Sequence, residues 1–270
     1  MTVPFPINVW GSSGFPFSKN GFPLKRGNSI PVETDPILAY FQSTGADGAY
    51  YTPWDKSTLF QDVAGTIPVV NDGDPVARLS DISGNGCHAT TSVSSKRPNY
   101  SGGLIIPDGV DDSMSAISNN TKTGVVVFSV LFSLDNLAGT QIIFETGTNT
   151  FNRAGCAILM VGGNILIRSN VEDIRYDYQI ISPITGKNYL ITIRVDNNSI
   201  IYRVDGLEMY IQNINQNSIM PSDLFIFARN NQGSYFKGIF GGLLVINDNP
   251  SISEISAFEN HIINSAGVTL

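Results

Sequence analysis

Residues 189–211 read YLITIRVDNNSIIYRVDGLEMYI, and they carry the clearest structural signal in the chain. Apolar and polar side chains alternate along this stretch, which is typical of β-strands that bury one face. Two turn signals interrupt the alternation, the first at residues 196–198 and the second at Asp205-Gly206, where glycine tolerates a positive φ. The pattern therefore predicts a three-stranded antiparallel meander.

Similar signals recur elsewhere in the chain. Residues 157–161 and 165–167 are apolar and flank Gly162-Gly163-Asn164, so they predict a further hairpin. Additional strands are expected at residues 124–134, 141–146, 224–228 and 236–246. Many short strands separated by frequent turns predict an all-β fold, a two-sheet antiparallel sandwich.

One helix is expected, at the C-terminus. Ser251 and Glu254 follow Pro250 with the spacing of a capping box. Apolar residues then recur at helical spacing, at positions Ile252, Ile255, Phe258 and Ile262. We expect this helix to pack on the edge or the back of the sandwich.

The composition excludes several classes of protein. The chain has 270 residues, of which 42% are apolar, and this is enough apolar surface for a folded core. Only 14% of the residues are charged, and the net charge is −7. Nucleic acid is therefore not expected as a partner, because phosphates attract basic proteins. Binding to an anionic membrane surface is disfavoured for the same reason.

Membrane insertion and export are not expected either. Apolar runs such as residues 124–132 are shorter than the roughly 18 to 20 residues that span a bilayer. The N-terminus lacks the basic region and the continuous apolar core of an export signal. We therefore expect the chain to fold in a cytoplasm, with Cys87 and Cys156 as buried thiols.

The N-terminal segment differs from the remainder of the chain. Residues 1–40 are rich in proline and glycine and show neither helical nor strand periodicity, so we predict an extended arm there and a sandwich domain over residues 41–270. Aromatic residues are unusual in disordered linkers, and the arm has five candidate docking residues, namely Phe5, Trp10, Phe15, Phe17 and Phe22. They could dock on the chain's own sandwich or on a neighbouring subunit.

Several motifs, in order, resemble one known family. They are STLFQD at residues 57–62, DGDPV at 72–76, DISGNGCHA at 81–89, RP at 97–98, PDGVDD at 107–112, YRVDG at 202–206 and FKGIFGGL at 236–243. Together with the capped terminal helix they resemble a concanavalin A-like (laminin G-type) jelly-roll domain, over about residues 50–270. Two positions depart from the family pattern: Cys87 stands where asparagine is common, and Arg78-Leu79-Ser80 replaces the usual Trp or Leu before the aspartate.

This variant of the domain recurs in bacteriophage tail, fibre and other virion proteins. The resemblance implies a non-enzymatic virion structural protein in the tail, the fibre base or the capsid exterior, assembled in the host cytoplasm. Its partners would be other virion proteins, which it would meet through the N-terminal arm. No coiled-coil heptads are present, so whether the chain forms a homo-oligomer stays open.

Two acidic turns invite comparison with metal sites. Asp81, Ser83 and Asn85 are short polar residues that bond nearby backbone, so their loop needs no ligand. Residues 108–112 place three carboxylates around a glycine, but their spacing is not that of an EF-hand. We therefore predict no cofactor and no metal, calcium being the one ion that the second turn would suit.

The residues of a glycosidase are missing from the predicted strands. Glycosidic cleavage generally needs two carboxylates roughly 5 to 10 Å apart across a cleft. Glu145 stands alone at the end of its strand, whereas Glu172 and Asp173 are adjacent and would lie on opposite faces of a strand. His88 and His261 are the two histidines of the chain and cannot form a histidine-rich zinc site. We predict no enzymatic activity and no catalytic residues.

The alternative function is an adhesin that recognises host surface polysaccharide. Sugar sites combine an aromatic platform with carboxylate, amide or guanidinium groups. The candidate glycan-binding residues are Asp173, Arg175, Tyr176 and Tyr178, with residues 50–55 as a second aromatic segment and residues 230–233 as a polar loop. The strand-like alternation of the two tyrosines favours a half-buried sheet face over a sugar platform.

Overall fold

The computed structural model describes residues 34–117, 124–147, 155–171, 174–196, 199–213, 223–229 and 233–270. Residues Asp35–Leu270 form one compact unit. Helices α1 and α2 span Pro36–Thr44 and Ile252–Ala266. The strands are β1 Asp47–Tyr51, β2 Leu59–Phe60, β3 Arg78–Leu79, β4 Ala89–Thr90, β5 Asn99–Ser101, β6 Leu104–Ile106, β7 Met114–Ala116, β8 Val126–Leu134, β9 Thr140–Thr146, β10 Gly155–Val161, β11 Asn164–Val171, β12 Ile174–Ile181, β13 Asn188–Val195, β14 Ser199–Val204, β15 Leu207–Asn213, β16 Leu224–Ile226 and β17 Gly238–Asn247.

The strands form two antiparallel sheets, which confirms the predicted sandwich. Sheet A has the order β15-β14-β13-β8-β17-β6-β5, with β1 also paired to β17. Sheet B has the order β12-β11-β10-β9-β16-β7-β4-β3-β2. Each sheet therefore combines local hairpins with strands that are distant in sequence.

The predicted meander is confirmed as β13, β14 and β15. Asp205 and Gly206 form its second turn with φ of +52° and +81°, the pair of positive values that a tight two-residue hairpin needs. Leu207 and Met209 lie opposite Val204 and Tyr202, on one face as expected, but both are exposed because β15 is an edge strand. The hairpin at Gly162-Gly163 is also confirmed, as β10 and β11.

Aromatic side chains fill the space between the sheets. Phe128 from sheet A meets Phe144 from sheet B with ring centroids 5.2 Å apart. Phe227 contacts Phe240 edge-on at 5.1 Å. Such pairs contribute about 0.5 to 1.5 kcal/mol beyond the burial of their surface. Cys156 lies in this core, and burial raises the pKa of its thiol to about 12, whereas Cys87 is only half-buried at the margin.

Both helices pack on the outer face of sheet A, where α2 covers Val127, Leu131 and Leu190. The capping box of α2 is present between Ser251 and Glu254, as predicted. The apolar stripe of α2 differs at its start, because Ile252 is 42% exposed in the first turn while the three later members are buried.

Helix α1 was not expected from the sequence. The Asp35 carboxylate accepts hydrogen bonds from the N–H groups of Ile37 and Leu38, and Gly45 ends the helix with φ of +67°. Only nine residues lie between these caps, too few for the periodicity to stand out from the proline-rich context. The helix is stabilised by its burial, since Ile37 and Phe41 pack beneath α2 and on sheet A. Residues 36–40 thus lie within the compact unit.

None of the helices in the described ranges is long and apolar enough to cross a membrane.

Candidate functional site

A single row of paired residues crosses the outer face of sheet B, which is the face that points away from the core between the sheets. Successive strand pairings give its members from one sheet edge inward as Asp177, Arg168, Ala157, Glu145, Phe225, Ser115 and Thr90. Their neighbours along each strand, such as Ile158 and Met114, point into the core, so the row faces away from it. The outer face of this sheet therefore carries a band of polar and charged groups.

The charged members of the row are joined in ion pairs. Arg168 is 5% exposed and donates from Nε and Nη2 to Asp177 at 2.7 and 3.0 Å, a bidentate geometry. Glu145 lies 3.7 Å from the Arg229 guanidinium. Each of these carboxylates is therefore paired with an arginine.

Within this row, the carboxylates of Glu145 and Asp177 lie on strands that are not adjacent. Strands β10 and β11 lie between them, and three inter-strand spacings of about 4.8 Å amount to roughly 14 Å. Glycosidases place their two carboxyl groups about 5 to 9.5 Å apart. This pair is therefore too widely spaced for acid–base cleavage of a glycosidic bond.

A cleft of about 220 Å³ opens at the other end of the row. Its lining residues are Val63, Thr90, Thr91, Ser92, Val93, Lys96, Ser113 and Ser115, and five of these eight carry a hydroxyl group. Pockets for drug-sized ligands are usually about 300 to 1,000 Å³, so this cleft suits a smaller group. Its size and its hydroxyl groups fit one small polar ring.

One wall of the cleft contains a buried hydroxyl without a partner. Ser113 is 1% exposed, and within the described part of the chain its Oγ makes no hydrogen bond. Met114 points into the core, so Ser113 and Ser115 lie together on the outer face. A buried unsatisfied polar group costs about 1 to 3 kcal/mol, which a ligand bonded to it would recover in part. Ser113 is thus the strongest sign of a ligand in the cleft.

The remaining walls combine a cation with an apolar rim. Lys96 ends a 3₁₀ turn over Ser94–Lys96, and the Ser113 N–H donates to its carbonyl oxygen at 3.1 Å, which fixes this turn to the Ser113 wall. Val63 and Val93 are 39% and 48% exposed. The lining of the cleft therefore combines a lysine, hydroxyl groups and apolar side chains.

The acidic turn at residues 108–112 lies next to this wall in sequence. The carboxylate oxygens of Asp108, Asp111 and Asp112 fall within 4.8 Å of one another and could hold a divalent cation. Burial, together with the neighbouring carboxylates, raises the pKa of Asp112 to about 7. The Asp112 carboxylate accepts a hydrogen bond from the Asp108 N–H at 2.8 Å, and this bond stabilises the turn without a metal ion. The suitability of this turn for calcium stays a prediction.

The turn at Asp81 is built by backbone bonds, as its composition predicts. The Asp81 carboxylate accepts N–H bonds from Tyr50 and Ser83 at 2.9 Å and from Cys87 at 3.0 Å. The Asn85 amide donates to the Gly48 carbonyl at 3.2 Å. These bonds tie the loop to β1 and account for its polar residues without a ligand.

The candidate glycan-binding residues are placed as follows. Tyr178 is half-buried in β12 and packs against the inter-sheet core, so it is not a surface platform. Arg175 and Tyr176 belong to the same strand, but their side chains lie outside the described residues, as does Asp173 entirely. A glycan-binding role for these four residues therefore stays a prediction, and Asp177 of the same segment lies on the outer face of the sheet.

Other predicted segments have structural roles or fall outside the description. Tyr50 and Tyr51 are fully buried, and Trp54 packs edge-on against Tyr50, so the second aromatic segment is part of the core. The docking residues Phe5, Trp10, Phe15, Phe17 and Phe22 lie outside the described residues, as do residues 230–232 of the polar loop.

The cleft was missed at the level of sequence. Its signal is a run of hydroxyl residues, TTSVSSK at residues 90–96, together with Ser113 and Ser115 on either side of a core methionine. Neither pattern is specific, since hydroxyl residues are common in loops. The two segments come side by side through the pairing of β4 with β7 at Thr90 and Ser115 and through the bond from the Ser113 N–H to the Lys96 carbonyl, and both are tertiary contacts.

Comparison with known proteins bears on the fold. No protein-family model and no curated protein matches the chain. Similar solved structures include one entitled "Cell entry of botulinum neurotoxin type C is dependent upon interaction with two ganglioside molecules", with a TM-score of 0.52 and 11% identity over 68% of this chain and 49% of that one. The binding domain of botulinum neurotoxin serotype G has a TM-score of 0.51 and 18% identity, over 67% and 48%.

A Trypanosoma rangeli sialidase in complex with the inhibitor DANA is similar as well, with a TM-score of 0.52 and 12% identity over 80% of this chain and 32% of the sialidase. The chain thus corresponds to about half of each toxin structure and a third of the sialidase. Likenesses at these identities show a shared β-sandwich fold.

Proposed function

We propose that this chain is a carbohydrate-binding, lectin-like module whose cleft on sheet B holds one sugar ring. The observation that carries the proposal is the buried Ser113 Oγ, which has no hydrogen-bond partner among the described residues and lies in a cleft rich in hydroxyl groups. A sugar ring presents hydroxyls that can both donate to and accept from serine and threonine. Its C–H groups would pack against Val63 and Val93 at the rim.

The surroundings of the cleft favour binding over cleavage. Glu145 and Asp177 are held by arginines on the same sheet face and are too far apart to act as a pair. The similar botulinum neurotoxin type C depends on interaction with ganglioside molecules for cell entry, and gangliosides are glycolipids, which supports a carbohydrate as the ligand. On a virion, the module would attach the particle to host surface polysaccharide.

Replacing Ser113 by alanine tests this proposal. We expect polysaccharide binding to weaken roughly 3- to 10-fold, because one hydrogen bond contributes about 0.5 to 1.5 kcal/mol. The free energy of unfolding should stay the same or rise by up to about 1 kcal/mol, because an unsatisfied buried hydroxyl is removed. The full chain would be tested on immobilised dextran, mannan, alginate and polygalacturonate, with stability measured by urea denaturation.

Ser133→Ala is the matched control. Ser133 is also fully buried and its Oγ also lacks a partner in the described part of the chain, but it lies in β8 of sheet A. This variant should change stability as Ser113→Ala does and leave binding unchanged. Absence of binding to every polysaccharide, or equal binding by both variants and the parent, would overturn the proposal.

A second candidate function is docking to other virion proteins through the N-terminal arm. It is supported by the start of the compact unit at Asp35, whose carboxylate caps α1 and lies 3.2 Å from His261 on α2. The five candidate docking residues of the arm all precede this point. Assembly in the host cytoplasm belongs to the same proposal.

Removing residues 1–34 tests the docking role. Because Asp35 is retained, we expect Tm to change by less than about 3 °C, which corresponds to roughly 1 kcal/mol in a domain of this size. Incorporation into particles, measured by immunoblot of purified virions, should be lost. An unfolded truncated chain, or normal incorporation of a folded one, would contradict this role.

A further inference from the structure

The apolar part of the cleft is formed by two valines from separate loops. Val63 and Val93 both line the cleft, and they are 39% and 48% exposed, although a hydrocarbon side chain gains free energy when it leaves water. The described residues of the lining include no aromatic side chain on which the face of a sugar ring would stack. The two valines therefore favour a sugar that carries a small apolar group of its own.

Both valines belong to loops that are fixed by hydrogen bonds. The Arg78 guanidinium donates to the Val63 carbonyl oxygen at 3.4 Å. The Lys96 N–H donates to the Val93 carbonyl oxygen at 3.1 Å, and the Lys96 carbonyl oxygen accepts the Ser113 N–H at 3.1 Å. Val93 is thereby tied to the wall that carries Ser113. Loops positioned in this way lose little entropy when a ligand binds, so the valines are prepared to receive an apolar group.

The charged groups near the cleft do not call for a charged ligand. Lys96, the charged member of the described lining, already has an interaction partner within the chain. The Asp62 carboxylate accepts the Ile67 N–H at 2.8 Å, and the Asp112 carboxylate accepts the Asp108 N–H. The net charge of −7 also repels polyanions. A neutral sugar is therefore the better fit.

We infer that the sugar held in the cleft is a neutral 6-deoxyhexose, such as a rhamnose or fucose unit of a surface polysaccharide. The inference rests on the proposed carbohydrate-binding function and adds the class of sugar to it. The methyl group of the sugar would lie against Val63 and Val93. The Ser113 Oγ, which has no hydrogen-bond partner among the described residues, would bond a ring hydroxyl. An ordinary hexose has a hydroxyl on the same carbon, and against the valines that hydroxyl would lose its water without gaining a partner.

The test compares sugars that differ only at this carbon. L-Rhamnose and L-mannose form one such pair, and L-fucose and L-galactose form another. The methyl glycoside of each sugar would be titrated into the full chain by calorimetry. We expect the deoxy member of at least one pair to bind about 5- to 10-fold more tightly than its hexose, because a buried methyl group is favoured over a desolvated hydroxyl.

The double variant Val63→Thr with Val93→Thr should reduce this preference to less than about twofold, because threonine keeps the shape of valine and offers the hexose hydroxyl a partner. Val70→Thr is the matched control, since Val70 is 58% exposed and is not among the lining residues. It should leave the preference unchanged.

The outcomes separate this inference from the proposed function. Equal binding within both pairs, with binding still sensitive to Ser113→Ala, would overturn the inference and leave the proposed function standing. A deoxy preference that survives the double variant would overturn it too. Polysaccharide binding without binding of any of the four sugars would count against the inference alone, and binding of neither would count against both.

Discussion

Replacing Arg203 by leucine should lower the free energy of unfolding by about 3 to 5 kcal/mol, because it leaves the carboxylate of Glu259 buried without its counter-charge. Glu259 is 3% exposed on α2, and the Arg203 Nε lies 2.9 and 3.1 Å from its two oxygens. Arg203 also donates to the Gly206 carbonyl and to the Ser256 hydroxyl. This one side chain therefore joins β14 and its turn to the terminal helix.

Two further variants separate a buried charge from a general packing effect. The double variant Arg203→Leu with Glu259→Leu should recover most of the lost stability, since paired apolar replacement of a buried ion pair is often neutral. Lys187→Leu removes a lysine from the more exposed pair with Asp205 and should cost less than about 1 kcal/mol. Urea denaturation with the slope checked for each variant measures all three. A double variant as unstable as Arg203→Leu alone would contradict this account.

Replacing Gly48 by alanine should cost about 3 kcal/mol or more, since overpacking of about 1 to 3 kcal/mol adds to an unfavourable backbone conformation of about 1 to 2 kcal/mol. Gly48 has φ of +153° in β1, and a Cβ there would overlap the carbonyl oxygen of Val245. That carbonyl belongs to β17, the strand on which β1 pairs. The added methyl group would therefore push two sheet strands apart.

Gly45→Ala is the control for the backbone effect alone. Gly45 ends α1 with φ of +67°, and a Cβ there would meet nothing within 4 Å. It should therefore cost only about 1 kcal/mol. Thermal and urea unfolding of both variants give the comparison, and equal losses at the two glycines would show that the close approach of β1 to β17 does not matter.

Elements whose interacting residues lie close together in the sequence could be predicted from it, and elements that depend on distant residues could not. The meander of β13 to β15 and the hairpin of β10 and β11 were predictable because alternation and a glycine turn lie within one short segment. The terminal helix was predictable from the Ser251 and Glu254 capping box, but its first apolar residue, Ile252, is exposed. Periodicity gives the face of a helix, and only packing decides how far along the helix that face is covered.

Helix α1 shows the opposite situation. Its caps, Asp35 and Gly45, are visible in the sequence, yet nine residues are too few to form a stable helix by propensity alone. Its stability comes from contacts of Ile37 and Phe41 with sheet A and α2, which is more than 200 residues away. A contact between segments so far apart in the sequence cannot be predicted from a local pattern.

The candidate site depends still more on tertiary structure. The sequence offered the tyrosines of β12 as candidates for a sugar platform, although their alternation favoured a half-buried sheet face. The structure packs Tyr178 against the core and instead joins two ordinary hydroxyl segments, through Thr90 and Ser115, into a cleft. The burial of Ser113, and its lack of a partner among the residues that the structure describes, follow from the pairing of these two segments.

By itself, the sequence determined that this chain is an all-β sandwich with a capped terminal helix, because alternation, turns and caps act over a few neighbouring residues. It also determined the scarcity of charge and the lack of local signatures for common enzymes. The tertiary structure alone decided which sheet the helices cover, which carboxylates are held by arginines and where a polar cleft forms. These features arise from strand pairings between distant segments, and the free energy of such pairings resides in contacts that no single stretch of sequence contains.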